Sequence, residues 1–272
     1  MKNNDVSGKM DALKSIIQSL GPMSVAFSGG VDSTFLLAFA HEIIGEKVQA
    51  IIARSPVFPK DEDDAAHVFL KKKGICYHVV EPELMTNDEF IRNDKNRCYV
   101  CKKILFKEIF QTALKTGKNV VVHGVNIDDF KDYRPGLKAA DEMGVLSPLV
   151  DAGFTKQDIR DASRMMGLPT ADKPSMACLA SRIPYGDVLS LEMLGRVERS
   201  EALLTKLGFI GVRARHHGVL VRLEIPGKDF GRLLGEDIRK TVVSGLKELG
   251  YLHIALDLEG YTQGSMNRML SL

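Results

Sequence analysis

The run Ser28-Gly29-Gly30-Val31-Asp32-Ser33 follows the apolar triplet Val25-Ala26-Phe27 and opens a helix-like run from Thr34 to Ile44. Glycines let a backbone approach an anion closely and turn its N–H groups toward it, and a helix N-terminus adds partial positive charge. Ser28 and Ser33 bring hydroxyl donors to the same oxygens. Asp32 repels a bare phosphate, so it implies either a magnesium ion bridging the anions or a helix cap. The chain has no Gly-x-x-x-x-Gly-Lys-Ser/Thr, so the usual cradle with its lysine is missing. An unliganded Gly-rich turn is the bland alternative; the flanking strand and helix favour phosphate.

A second set of reactive residues carries sulfur. Cys98 and Cys101, spaced Cys-x-x-Cys, begin a helical run among Lys95, Arg97, Lys102 and Lys103. Such a setting lowers a thiol's pKa. Cys178 sits beside Arg182 in Pro174-Ser-Met-Ala-Cys178-Leu-Ala-Ser-Arg182. Three thiolates leave a tetrahedral zinc one ligand short, whereas a 4Fe-4S cluster on three cysteines keeps one iron open. For Cys98 and Cys101 alone, zinc with a histidine or a redox pair stays open. Cys76 reads as core.

The elements around these residues alternate strand-like and helix-like runs, an α/β rhythm with Val/Ile-rich strands suited to a parallel sheet. Strands are predicted at Met23–Phe27, Val48–Ala53, Cys76–Val80 and Val120–His123. Helices are predicted at Met10–Leu20, Ser33–Ile44, Lys60–Lys73 and Cys101–Thr116. Ligands in such sheets lie beyond the carboxyl ends of the strands. That places Arg54, Ser55 and Gly124 around a nucleotide, with Asp128 and Asp129 holding magnesium, orienting substrate or beginning a solvated turn. The stretch Leu168–Asp187 reads as a long loop, and the domain boundary is set there: 1–180 for the phosphate-loop domain, 181–272 for a smaller α+β domain. The second domain reads as helix Leu189–Leu207, strands Phe209–His216 and Val219–Ile225 joined at His217-Gly218, helix Gly235–Leu249 and strand Leu252–Leu258. Arg213 and Arg215 alternate along one strand and face one side, a phosphate-binding pair or a solvated face. Glu198 and Glu201 on the preceding helix are placed to orient them.

The Ser-Gly-Gly-x-Asp-Ser run resembles the PP-loop ATP pyrophosphatases, with their adenine nucleotide alpha hydrolase-like fold. Three further segments narrow this: Asn126 to Ala140 with Arg134, the Pro174 to Arg182 loop, and the ending Leu256 to Asn267. Together they resemble the LarE family across nearly the whole chain. The resemblance implies adenylylation of a carboxylate of pyridinium-3,5-biscarboxylic acid mononucleotide by ATP and Mg2+, then thiocarboxylate formation for the nickel-pincer nucleotide cofactor. It assigns ATP to Ser28, Gly29, Gly30, Asp32, Ser33, Arg54, Ser55 and Gly124. Asp128, Asp129, Arg134, Arg182, Glu198, Glu201, Arg213 and Arg215 become substrate residues, and Cys178 and Asp32 the catalytic ones. Some members carry only the loop cysteine and sacrifice its sulfur. With Cys98 and Cys101 present, Cys178 reads as the third ligand of a 4Fe-4S cluster.

Composition narrows the setting. Of 272 residues 44% are apolar and 26% charged, with a net charge of +2, as in an ordinary globular protein. The polar start, Met1 to Met10, and the lack of long apolar runs suggest the cytoplasm and no membrane partner. A tRNA thiolase would show a broad basic face, so no nucleic-acid partner is expected. Ammonia-dependent amidation leaves the cysteines without a task, and a nucleotide sensor would bind ATP without releasing pyrophosphate. The expected partners are a small mononucleotide and further copies of the chain.

Overall fold

A computed structural model of the chain describes residues 2–131, 135–174 and 177–262. Arg134 and the ending 263–272 lie outside them. The chain divides into two units: Met1–Leu84 with Cys98–Met176, and Met85–Arg97 with Ala177–Leu272.

The first unit is α/β. Its elements are α1 (Lys2–Leu20), β1 (Met23–Phe27), α2 (Val31–Ile44), β2 (Val48–Ala53), α3 (Lys60–Lys73) and β3 (Tyr77–Val80). After the short helix α4 (Asp88–Ile91) of the second unit come α5 (Arg97–Lys115), β4 (Val120–His123), α6 (Pro135–Glu142), α7 (Pro148–Asp151) and α8 (Lys156–Met165). The strands form a parallel sheet in the order β3-β2-β1-β4, with Phe27 opposite Ile52 and Ala26 opposite His123. The chain winds one way from β1 to β3, then returns to place β4 on the other side of β1. Sheets of this kind bind ligands at such a reversal, beyond the carboxyl ends of the strands, here those of β1 and β4.

Both faces of the sheet are covered, as the continuous apolar strands anticipate. Met23, Val25, Phe27, Ala50 and Ile52 pack with Leu13, Ile17, Phe35, Phe39, Phe69 and Phe154. Ile51 and Val121 face the other layer, with Leu105, Phe106 and Ile109 of α5. At roughly 1.5–3 kcal/mol for each fully buried large side chain, these two layers fix where the strand ends lie.

The second unit adds α9 (Leu191–Lys206), β5 (Arg213–His217), β6 (Leu220–Glu224), α10 (Phe230–Leu234), α11 (Glu236–Glu248) and β7 (His253–Leu256). Its sheet has the order β5-β6-β7, antiparallel then parallel, and its core gathers Leu204, Phe209, Val221, Leu223, Leu246 and Tyr251.

Several sequence expectations shift. The opening helix starts at Lys2 rather than Met10, and α5 starts at Arg97, so both cysteines of its motif are helical. Cys76 is exposed, not core, because edge strand β3 begins one residue after it. The hairpin turn is Gly218-Val219, since His217 pairs with Leu220 and Gly218 takes the left-handed φ of +63°.

Candidate functional site

The phosphate loop is built by strand β1 ending in a tight turn. Gly29 has φ +70°, a conformation that disfavours other residues, and a Cβ there would come 3.2 Å from the Ala66 side chain of α3. Gly30, in extended conformation, is the N-cap of α2, so Asp32 does not cap that helix. Ser33 Oγ accepts from the Ser28 amide (3.3 Å) and lies 3.1 Å from Ser28 Oγ, so the two hydroxyls named from the sequence share one corner. Gly124 has a role beyond flanking a nucleotide. A Cβ there would lie 2.7 Å from the Ser33 nitrogen and 2.9 Å from the Asp32 carbonyl carbon, so the end of β4 presses directly on the start of α2.

The charges come from far along the chain. Lys156, the first residue of α8, donates from Nζ to Asp32 Oδ2, and Asn126 Nδ2 approaches Asp32 Oδ1 at 3.4 Å. Burial holds the Asp32 carboxyl above the usual carboxylate range, against the pull of the Lys156 ammonium. Lys173 donates to the Gly29 carbonyl at 3.1 Å and to Glu62. Neither lysine was found by sequence reading. For Lys156 a local signal existed: Thr155 and Asp158 form a capping box that marks the start of α8.

Around the strand ends, the other sequence-named residues are partly committed. Asp129 accepts from the Asn126 amide at 3.0 Å. Asp128 accepts from Lys131 Nζ (2.7 Å) and the Lys156 amide (2.8 Å), and the Lys131 ion pair and that amide hold its pKa down. Both aspartates thus shape the turn that carries Asn126. Arg54 faces Asp63 of α3 at 2.9 Å. Ser55 is 8% exposed, and its hydroxyl makes no hydrogen bond among the described residues. Such a group signals a missing partner. His123, one residue before Gly124, shares a 2.8 Å hydrogen bond with Ser147, and burial pushes its pKa down to about 3, so it is neutral.

Cys98 and Cys101 sit in the first two turns of α5, three residues apart on one face and half-buried. Among the described residues, no group of three or more His, Cys, Asp or Glu side chains forms a metal site. Cys178 belongs to the other unit, where it precedes a turn at Leu179–Arg182. That turn is pinned by its carbonyls. Arg182, 0% exposed, grips Glu201 with Nε and Nη2 (2.8 and 2.9 Å) and donates from Nη1 to the carbonyls of Ala177 (2.7 Å) and Cys178 (3.0 Å). Arg97 donates to the Ala180 carbonyl and Arg215 to that of Ser181, each at 3.1 Å.

Arg213 and Arg215 are buried rather than on a solvated face. Arg215 pairs with Glu224 of β6 at 2.6 Å, a partner the sequence did not reveal, while Arg213 stacks over Tyr261 at 4.8 Å. Burial, then the neighbouring Arg182, lowers the pKa of Arg213 from its ordinary value. Glu201 therefore orients Arg182 directly, and Glu198, half-buried, lies one turn before it on α9. Arg222 completes the cluster with Glu224 at 3.1 Å and Asp257.

No family model matches the chain. It is 38% identical to an uncharacterized protein of Synechocystis, over 98% of this chain and 99% of that one. It is 33% identical to the pyridinium-3,5-bisthiocarboxylic acid mononucleotide synthase of Lactiplantibacillus plantarum, over 97% and 95% respectively. A more distant relative, 22% identical over 89% of this chain and 80% of its own, is one of the subunits of a glutamine-hydrolyzing GMP synthase of Pyrococcus horikoshii.

Proposed function

We propose that this chain, which belongs to the LarE family, uses ATP to activate a carboxylate of pyridinium-3,5-biscarboxylic acid mononucleotide and replaces one oxygen by sulfur, for the nickel-pincer nucleotide cofactor. The observation that carries this reading is the junction of β1, β4 and α2. Gly124 leaves no space for a side chain against Asp32 and Ser33, and across the left-handed Gly29 the hydroxyls of Ser28 and Ser33 meet at 3.1 Å. The reading places the departing pyrophosphate there and the adenine near the unsatisfied hydroxyl of Ser55.

The chemistry follows from the electrophile. A carboxylate is unreactive toward sulfur nucleophiles, so its oxygen attacks the α phosphorus and the bond to the β-phosphate oxygen breaks, giving an acyl adenylate and pyrophosphate. A sulfur nucleophile then forms the C–S bond as the C–O bond to AMP breaks. Asp32, already holding a cation in the form of the Lys156 ammonium, fits magnesium, which takes one or two carboxylates plus phosphate oxygens. When bound, the ion neutralises charge on the leaving pyrophosphate.

Cys98, Cys101 and Cys178 are the thiols this reading assigns to a 4Fe-4S cluster with an open iron, which if bound would supply a transferable sulfide. The alternative role for Cys178, donating its own sulfur, uses the same fixed turn. Substrate phosphate is assigned to Arg213 and Arg215, with Asp128, Asp129, Arg134 and Glu198 orienting the rest, and Arg182 acting from behind by holding the Cys178 turn. The second unit is also assigned to self-association, supported by its exposed Ile210 and Leu252.

The test is anaerobic incubation with ATP and the biscarboxylated mononucleotide, followed by mass analysis of products and protein. Sulfurated product with AMP and pyrophosphate is expected, with an intact protein for relay or one lighter by hydrogen sulfide for sacrifice. If neither AMP nor pyrophosphate appears, the reading is wrong. Colourless protein containing zinc after anaerobic purification would remove the cluster from it.

A further inference from the structure

We propose that Tyr261 is a positioning residue for the substrate phosphate: its ring lies against the flat face of Arg213 and fixes the plane of that guanidinium without using any of its N–H donors. The inference rests on the reading that Arg213 and Arg215 take the phosphate of the mononucleotide. It gives a task to the start of the ending 256–267, which the phosphate loop and the cysteines leave unused.

The chain is shaped to bring the ring there. After β7, Asp257 donates its N–H to the Leu223 carbonyl at 2.9 Å, which carries the pairing with β6 one residue further. The Asp257 side chain then accepts from the Glu259 amide and its carbonyl from the Gly260 amide, each at 3.0 Å, closing a turn. Gly260 has φ +71°, and a Cβ there would come 2.8 Å from the Ile225 carbonyl oxygen, so a larger residue would strain the turn and push it off β6. The Tyr261 N–H donates to the same Ile225 carbonyl at 3.1 Å. Ile225 follows Glu224, which lies opposite Arg213 in the register of β5 and β6, so one backbone hydrogen bond sets the ring over the arginine of the neighbouring strand. Asp257 also pairs with Arg222, which ties the turn to the arginine cluster a second time. The Arg213 guanidinium carbon stands 4.8 Å from the ring centroid, within the ~6 Å of a cation–π contact, and Arg213 is 4% exposed, so the contact is desolvated. An ion pair holds a guanidinium by the same N–H edge that a phosphate takes, whereas a ring holds it by the face.

The test measures binding to the full-length protein by calorimetry with three probes: the biscarboxylated mononucleotide, its phosphate-free nucleoside and inorganic phosphate. In Tyr261→Leu, affinity for the mononucleotide and for inorganic phosphate should fall about tenfold, the scale of a desolvated cation–π contact. The nucleoside should bind as in the parent. Tyr261→Phe, which keeps the ring, should stay close to the parent and guards against misfolding of the first variant. Unchanged phosphate affinity in Tyr261→Leu overturns the inference. So does an equal loss for the nucleoside, which would mean a structural role, or a loss in Tyr261→Phe as large as in Tyr261→Leu, which would assign the effect to the hydroxyl. If Arg213→Met binds inorganic phosphate as tightly as the parent, the phosphate reading of the cluster has failed and the inference falls with it.

Discussion

The phosphate loop and the arginine cluster both gather charge, but by different means. At the loop each lysine meets one carboxylate, Lys156 with Asp32 and Lys173 with Glu62, on side chains that keep some exposure. In the cluster, Arg182, Arg213, Arg215 and Arg222 stand among Glu201, Glu224 and Asp257, and the first three guanidinium groups are buried. The loop pairs its charges one to one on partly exposed side chains, whereas in the cluster Glu224 is shared by Arg215 and Arg222. Under the proposed function, a metal-bound triphosphate would meet the partly exposed pairs of the loop, and a mononucleotide phosphate would meet guanidinium forks already held in place.

The comparison breaks first at Arg182. Arg182→Met leaves the half-buried Glu201 beside an apolar chain and should cost about 3 kcal/mol in urea denaturation. A loss near the ~1 kcal/mol of a surface pair would mean that the cluster is no more fixed than the loop. Next is Gly124→Ala, whose Cβ would collide with the backbone of Ser33. Displacing the loop should slow pyrophosphate release about a hundredfold, the scale of a small misplacement at a reacting centre. A near-normal rate would show that the junction with β4 does not set the loop.

His123→Gln sharpens the loop side through pH. The parent histidine stays neutral in the fold, with its pKa lowered from 6.5 to about 3, so the unfolded chain binds its proton first on acidification. Its contribution is complete above pH 6.5 and is lost as pH falls toward 3, at a slope approaching about 1.4 kcal/mol per pH unit. The variant's stability should lose that slope, and curves of equal slope would refute the assignment. The smallest effect is expected for Ser55→Ala. Removing a buried hydroxyl without a partner should stabilise the nucleotide-free protein by about 1 kcal/mol and weaken ATP binding. If thermal denaturation shows destabilisation instead, the hydroxyl already has a partner in solution.

Local signals were legible in the sequence and distant ones were not. The strand, glycines and serines of the loop lie within consecutive residues, and their periodicity placed β1 and α2 almost to the residue. Lys156 escaped because its pairing depends on how α8 returns to the phosphate loop, although Thr155 and Asp158 announced that helix. Glu224 escaped because it reaches Arg215 from the neighbouring strand, in a register that only the hairpin turn sets. Arg182 was legible as important beside Cys178, but its own sequence neighbourhood could not tell a residue that meets substrate from one enclosed by protein atoms.

The pinning of the Cys178 turn has a consequence for wear. Arg97, Arg182 and Arg215 hold peptide oxygens of Ala177, Cys178, Ala180 and Ser181, none of which belongs to a side chain that reacts. Oxidation, desulfuration or alkylation at the thiol would leave every one of those grips intact. The mount therefore outlasts the part it carries, and chemistry at sulfur is uncoupled from the architecture that presents it.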